Sequence, residues 1–418
     1  MEAPFRRSVP EHREAIEEML GVALRDLGVE TIDLDGALRR RLAQDLVAPR
    51  ALPPWDNSQM DGYAVHADDL GVIPLSVVET IAAGQAAHAL ERGTAAPIMT
   101  GAPMPAGANT VIPIEAAVPD RFPLESELAQ GFTVVLGTGA AEGSYVRTRG
   151  SDIDEGAVAL EAGTVMGPTA LGIVAGLGIA QVQVIAKPRV LLLSTGDELV
   201  APGTELAPGQ IHDANTTLLR TALRAAGCQV DTVGVLDDSP ATFTTSMREA
   251  LNAAEHPYPL VISSGGISKG AFDVVKEVLA NYGVAFGSVA MQPGGPQGAG
   301  MLSLPGCDPV TFMALPGNPV SAFVSFEMFI RPVLATALGL PARTVAIATL
   351  TEDMESMPGK MQVRRGTFTD GAFTPMGGAS SHLLAALAAS NAFILIDENT
   401  THLDSGTRVN VLIIGDGA

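Results

Sequence analysis

The chain reads as an α/β multidomain protein: a parallel α/β sheet domain in its second half, a β-rich insert ahead of it, and a C-terminal β-barrel-like domain. Three observations predict this. From residue 189 to residue 330, apolar strand-like runs alternate with helical patterns at the spacing of parallel βαβ units. Between residues 75 and 144, short apolar runs are separated by glycine and proline turns. Beyond residue 340, apolar and polar residues alternate over 344–350, 360–368, 391–397 and 408–414, and only 380–389 looks helical. The expected domains are 1–45 with 146–178 (helical and strand linking), 46–145 (insert), 179–330 (α/β) and 331–418 (C-terminal β).

Each element has a local reason. Ser8-Val-Pro-Glu11 is a capping box, and Ile16, Met19, Leu20, Ala23 and Leu27 then share one helical face up to Gly28. The segment 36–46, with Arg39, Arg40 and Arg41, is expected to be a second helix with a solvated charged face. In 51–65 two prolines stiffen the entry, and Asn57, Ser58, Asp61 and Gly62 supply turn chemistry before a strand at 63–66. Asp56 and Asp61 there either belong to a structural turn or hold a cation or substrate. Thr100 and Gly101 present a hydroxyl and an open backbone inside the insert. Arg147 and Arg149, two apart, would face one side of a strand; they suit an anionic ligand, or else pair with Asp152 and Asp154. The stretch 164–186 is uncharged and long enough for a membrane span, but four glycines, Pro168, Gln181 and Gln183 favour a packed helix near 169–176 and a strand at 180–184.

In the α/β half, the buried run 189–195 exits into Gly196-Asp197-Glu198. Helices are expected over 213–226, 240–254 and 272–282, and strands over 230–235, 260–263, 284–290 and 310–315, with 292–296 as a loop. The strand at 260 runs into Ser263-Ser264-Gly265-Gly266, followed by Ser268 and Lys269. Glycines let a ligand approach the backbone, and free N–H groups at a helix start favour an anion, so this is a candidate phosphate cradle or an ordinary strand-to-helix turn. Ligands bind at the carboxyl ends of parallel strands, where Glu198, Asp238 and the 265–273 loop all fall.

The 418 residues carry a formal net charge of −21, which argues against nucleic acid as a partner. A hydrophobic fraction of 47% with 17% charged residues is that of a globular chain. Two cysteines in unrelated contexts, Cys228 and Cys307, form no C-x-x-C pair and support neither a disulfide framework nor a zinc site, and residues 1–10 lack the apolar core of a signal peptide. A cytoplasmic protein with no membrane partner is expected.

Six motifs occur in a telling order: W-D-N-S-Q-M-D-G-Y-A-V, I-M-T-G-A-P-M-P, V-R-T-R-G-S-D-I, S-T-G-D-E-L, S-S-G-G-I-S-K-G and L-P-G-N-P-V-S-A. Together they resemble the molybdopterin molybdenumtransferase (MoeA) family, which includes the E domain of gephyrin. The resemblance implies an α/β domain of the molybdopterin-binding type in a four-domain homodimer, with each active site between the α/β domain of one subunit and the second domain of the other. It implies the last step of molybdenum cofactor synthesis: adenylated molybdopterin and molybdate as substrates, Mg²⁺ as cofactor, AMP as product. Contact with the molybdopterin adenylyltransferase is an expected partnership. Carried over by motif, Asp61, Thr100, Asp152, Glu198, Asp238 and Asp273 would be catalytic, with Glu198 and Asp238 holding the metal. Ser264, Gly265, Gly266, Ser268, Lys269, Pro316, Pro319, Arg147, Arg149 and Ser381 would bind the cofactor precursor. A departure stands at Gln292-Pro-Gly-Gly295-Pro, where the family commonly reads K-P-G-K-P; Lys269 is the candidate replacement cation. Ala379-Ser380 likewise departs from the usual glutamine-glycine before Ser381. A non-catalytic scaffold that binds a pterin or a protein partner is the rival reading; the related adenylyltransferase would need only the α/β domain.

Overall fold

The computed structural model describes residues 4–71, 74–236, 239–267 and 274–415. The chain forms two compact units, Met1–Glu30 with Ile185–Ala418, and Thr31–Val184.

The first unit is built on a seven-stranded sheet in the order Phe5–Arg7, Val284–Val289, Pro296–Leu302, Val310–Leu315, Leu260–Ser264, Arg189–Thr195, Gln229–Leu236. Six strands run one way and Pro296–Leu302 runs against both of its neighbours. The apolar runs at 189, 260 and 310 are the central strands, buried on both faces by helices, as their unbroken hydrophobicity predicts. The strand Pro296–Leu302 was not legible: its glycines read as loop. They are needed because a Cβ at Gly298 would lie 2.6 Å from the Phe286 ring, and one at Gly300 would lie 2.2 Å from Gly283 O.

Helix Val9–Ala23 starts on the predicted capping box, with Ser8 N–H donating to Glu11 Oε2 at 2.7 Å and Glu11 N–H to Ser8 Oγ at 3.4 Å. It buries Val9, Ile16 and Leu20 against a core that includes Phe326, Phe329 and Leu334. Those residues belong to the helical run Pro319–Leu338, which has a membrane span's length and hydropathy but is 72% buried inside the protein, as a core helix is. Its middle, Phe326–Ile330, is a π-helix, and there the buried Glu327 carboxylate accepts from Arg343 Nη2 at 2.7 Å and Nε at 3.1 Å.

In the C-terminal part, strands Met361–Thr369, Ala372–Pro375, Val345–Leu350, Arg408–Ile413 and Ala392–Ile396 pair in that order, and the last returns to the first, which closes a small barrel. Met291–Gln292 lies outside it, parallel to Met361–Gln362. Both cysteines are free thiols.

The second unit holds a six-stranded sheet, Thr110–Pro113, Gly62–Val65, Thr94–Ile98, Leu75–Val77, Thr133–Leu136, Ala117–Val118. Helix Pro168–Gly176 packs with Val182 and Val184 around Met166 and Leu177, so 164–186 is globular core as expected. The helix expected over 36–46 is absent. A single 3-10 turn, Leu34–Gly36, is followed by Arg39 at φ 61° and by bridges from Arg41 to Val165 and Leu42 to Val184. Ala37, Leu42 and Leu46 are nevertheless buried together: the apolar spacing reports burial, while backbone pairing takes the segment out of helix.

Candidate active site

The carboxyl ends of Arg189–Thr195, Leu260–Ser264 and Val310–Leu315 bring three loops together. Gly265 and Gly266 both have positive φ, 99° and 68°. A Cβ at Gly265 would sit 2.7 Å from Thr195 O, and one at Gly266 would sit 2.6 Å from Val275 Cγ2 and 3.1 Å from Thr195 Oγ1. The double glycine is therefore a steric necessity at this turn. Opposite it, a Cβ at Gly317 would lie 3.3 Å from Gly265 Cα, so the L-P-G-N-P loop abuts the glycine turn. Asn318 caps the helix Pro319–Ser325 by accepting from Val320 N–H at 3.1 Å. Pro316 and Pro319 flank this contact, and the Pro316 carbonyl accepts from Ser264 Oγ at 3.4 Å.

Beneath the loops, Asp213 caps helix Ala214–Ala225 and accepts from Thr216 N–H at 3.0 Å and Ser194 Oγ at 3.3 Å. Asn215, next on that helix, donates through Nδ2 to Ser264 Oγ at 2.7 Å and to Gly317 O at 2.6 Å. Thr195 Oγ1, Ser263 Oγ and Asn215 Oδ1 are buried with no partner. Of these, Thr195 Oγ1 stands beside the glycine turn, 3.2 Å from where a Gly265 Cβ would be. Sequence reasoning missed Asn215; its signal was I-H-D-A-N at a helix start, which reads as an ordinary cap. Glu198 is exposed, with Oε2 2.6 Å from where a Gly196 Cβ would stand, so its carboxylate lies over the exit of Arg189–Thr195. Asp238, Ser268, Lys269 and Asp273 lie outside the described residues.

The second unit brings Asp61 and Thr100 together. They follow from the antiparallel pairing of Gly62–Val65 with Thr94–Ile98, in which Gly62 faces Ile98. Thr100 donates to Asp61 Oδ1 from its N–H at 2.7 Å and from its hydroxyl at 2.8 Å. Those bonds, the backbone one foremost, hold the exposed Asp61 carboxyl below its usual range. Gly62 cannot carry a side chain, since its Cβ would stand 2.1 Å from Ile112 O. Asp56 is engaged separately, accepting from Arg149 N–H at 2.6 Å. The expected strand with two arginines on one side is corrected: Val146–Arg147 is the whole strand, and Arg149 sits in the turn after it, its guanidinium on Glu155 at 2.5 Å rather than on Asp152 or Asp154. The short strand ends because Asp56 takes the Arg149 N–H out of the ladder. Arg147 and Asp152 are exposed.

In the barrel, Ser381 lies in the turn before helix Leu384–Ala388. The neighbouring carbonyls of Gly378 and Ser380 accept from Arg365 Nη2 at 3.1 and 3.0 Å. Arg365 is buried, and burial pulls its pKa down. At 292–296, Gln292 pairs with the barrel strand, and a Cβ at Gly295 would stand 3.3 Å from Met291 O, so a larger residue there requires that neighbour to give slightly.

Matches to known families cover nearly all of this framework: the MoeA N-terminal region (domain I and II) over residues 7–178, the probable molybdopterin binding domain over 191–336, and the MoeA C-terminal region (domain IV) over 348–414. The chain belongs to the MoeA family. It is 41% identical to molybdopterin molybdenumtransferase 2 of Mycobacterium tuberculosis, over 97% of this chain and 99% of that one. It is 34% identical to the molybdopterin molybdenumtransferase of Haemophilus influenzae, over 91% and 93% of the two chains. A crystal structure of the MoeA protein of Pyrococcus horikoshii superposes with a TM-score of 0.77 at 28% identity, covering 96% of this chain and 98% of the other. In MoeA terms, the glycine turn lies in the region matched as molybdopterin-binding, while Asp61 and Thr100 lie in the N-terminal region.

Proposed function

We propose that this chain is a molybdopterin molybdenumtransferase, inserting molybdenum into adenylated molybdopterin with release of AMP. The observation that carries the reading is MoeA sequence along the whole chain, with the double-glycine turn at the carboxyl end of Leu260–Ser264 inside the region matched as molybdopterin-binding. The turn would meet the phosphate or pterin of the substrate at the carboxyl ends of the parallel strands, where ligands of such sheets bind. Asp61, kept ionised by Thr100, acts as a fixed acceptor that orients donors on the substrate and does not give up a proton near neutrality. We place the working site between two subunits of a homodimer, with Asp61 supplied by the partner copy; the acidic chain is read as cytoplasmic, and contact with the adenylyltransferase that makes its substrate completes the picture.

Mg²⁺ suits the donors present: Glu198 is an exposed hard-oxygen ligand at a strand's carboxyl end. Glu198 and Asp238 would hold the ion, which supplies charge neutralisation at the phosphate.

The test is to supply adenylated molybdopterin, molybdate and Mg²⁺ and to follow AMP and active cofactor together. Both products should form, and Asp61→Ala and Glu198→Ala should each lower turnover by at least about tenfold. Tight binding without either product would favour a scaffold, which the missing lysines of the 292–296 loop make the natural rival.

A further inference from the structure

The described cavities, ion-pair clusters and exposed apolar residues give no ligand identity as definite as the unmatched chemistry of one buried amide. Asn215 is 5% exposed and is the side chain through which helix Ala214–Ala225 touches both loops of the cradle. Its two Nδ2 hydrogens go to Ser264 Oγ and to Gly317 O, at 2.7 and 2.6 Å. The orientation of the amide is fixed by chemistry: reversed, Oδ1 would face the Gly317 carbonyl, acceptor against acceptor. The strands that carry the two loops are joined by a parallel ladder that runs to Ser264 and Leu315 and is continued by Gly265 N–H to Leu315 O at 3.2 Å. Beyond the ladder, Ser264 Oγ reaches Pro316 O at 3.4 Å, and Asn215 makes the shorter bonds that tie Ser264 to Gly317. The helix carrying it is anchored in turn, because Asp213 accepts from Ser194 on the neighbouring strand.

We propose that Asn215 is a positioning residue for molybdenum insertion: it clamps the glycine turn to the abutting Gly317 loop and so fixes the surface against which the substrate lies. The proposal rests on the function argued above. An amide that only filled core space would be replaceable by a residue of similar volume; one that fixes that surface would not, since a shift of about 1 Å in substrate placement costs on the order of a hundredfold in rate.

The experiment compares the full-length parent with Asn215→Ala, Asn215→Leu, Ser264→Ala and the double variant Asn215→Ala/Ser264→Ala. Hydrogen exchange of peptides spanning 260–267 and 314–320 is read in the free protein, beside kcat and KM for insertion. Asn215→Ala and Asn215→Leu should speed exchange in both peptides and lower kcat by about tenfold to a hundredfold, with KM changed less than about threefold. Ser264→Ala should give a smaller loss, and the double variant should be no slower than Asn215→Ala within about twofold, since both remove one linkage. Unchanged exchange in either peptide, or kcat within about twofold of the parent, overturns the clamp; so do losses that multiply. Should Asn215→Ala fail to fold, Ser264→Ala alone decides, and parental exchange and kcat in it overturn the proposal. A parent that makes no cofactor would sink the functional reading, while the exchange data would still decide whether the clamp exists.

Discussion

Thr100 donates two hydrogen bonds to one carboxylate oxygen of Asp61, and removing its hydroxyl tests what they do. In Thr100→Ala the Asp61 pKa should rise toward its ordinary value of 3.8, though not reach it, because the backbone bond persists; carboxyl-carbon NMR titration checks this, and an unmoved pKa would assign the shift to the backbone alone. A second residue, His12, is wholly buried, stacked on Phe5 with ring centroids 5.6 Å apart and edge-on to Phe329 at 4.7 Å. Burial, aided by the charge of Arg7, lowers its pKa from 6.5 to about 4. The folded state thus binds fewer protons here than the unfolded state between those values. The resulting stability is complete above pH 6.5 and is lost as pH falls toward 4, up to on the order of 3 kcal/mol. His12→Phe should flatten that part of the stability–pH curve in denaturant titrations; an unchanged slope would show that other groups dominate. Asp61 was legible from its motif and its turn chemistry. His12 was not, because nothing local tells a helix-face histidine at a capping box from a solvated one; beside the nearby Phe5, a ring that packs on it is Phe329, more than 300 residues away.

Among elements, the strand Leu260–Ser264, the glycine pair after it and the helix Val274–Leu279 were readable from sequence, because a buried strand, two glycines and a helix carry independent signals. The antiparallel strand Pro296–Leu302 was not, since the property that lets it fit, absence of side chains at Gly298 and Gly300, is also the signature of a loop. The same steric logic gives a prediction at Gly266, whose φ of 68° and nearness to Val275 leave no room for a methyl group. Gly266→Ala should cost roughly 1–3 kcal/mol of stability and lower turnover by at least about tenfold. Thermal melts with the insertion assay check both, and an active variant with an unaltered melting curve would show the turn to be more yielding than its geometry implies. The 36–46 segment teaches the converse: its apolar positions Ala37, Leu42 and Leu46 are buried, but the helix read there is replaced by backbone pairing with 165 and 184.

At the scale of the molecule, the α/β sheet and the barrel-like C-terminal domain were foreseen, while the particular pairing that closes the barrel, the return of Ala392–Ile396 to Met361–Thr369, is one no local pattern encodes. The two-residue strand Met291–Gln292 pairs with a barrel strand from outside the closed ring and belongs to the sheet domain in sequence. Anyone shortening the chain to its α/β half would therefore cut across a seam. Removing everything after residue 340 strips Met291 and Gln292 of their partners and bares Val363 and Phe393's side of the shared core. Such a fragment would present an unpaired edge and an apolar patch together, the combination that favours aggregation.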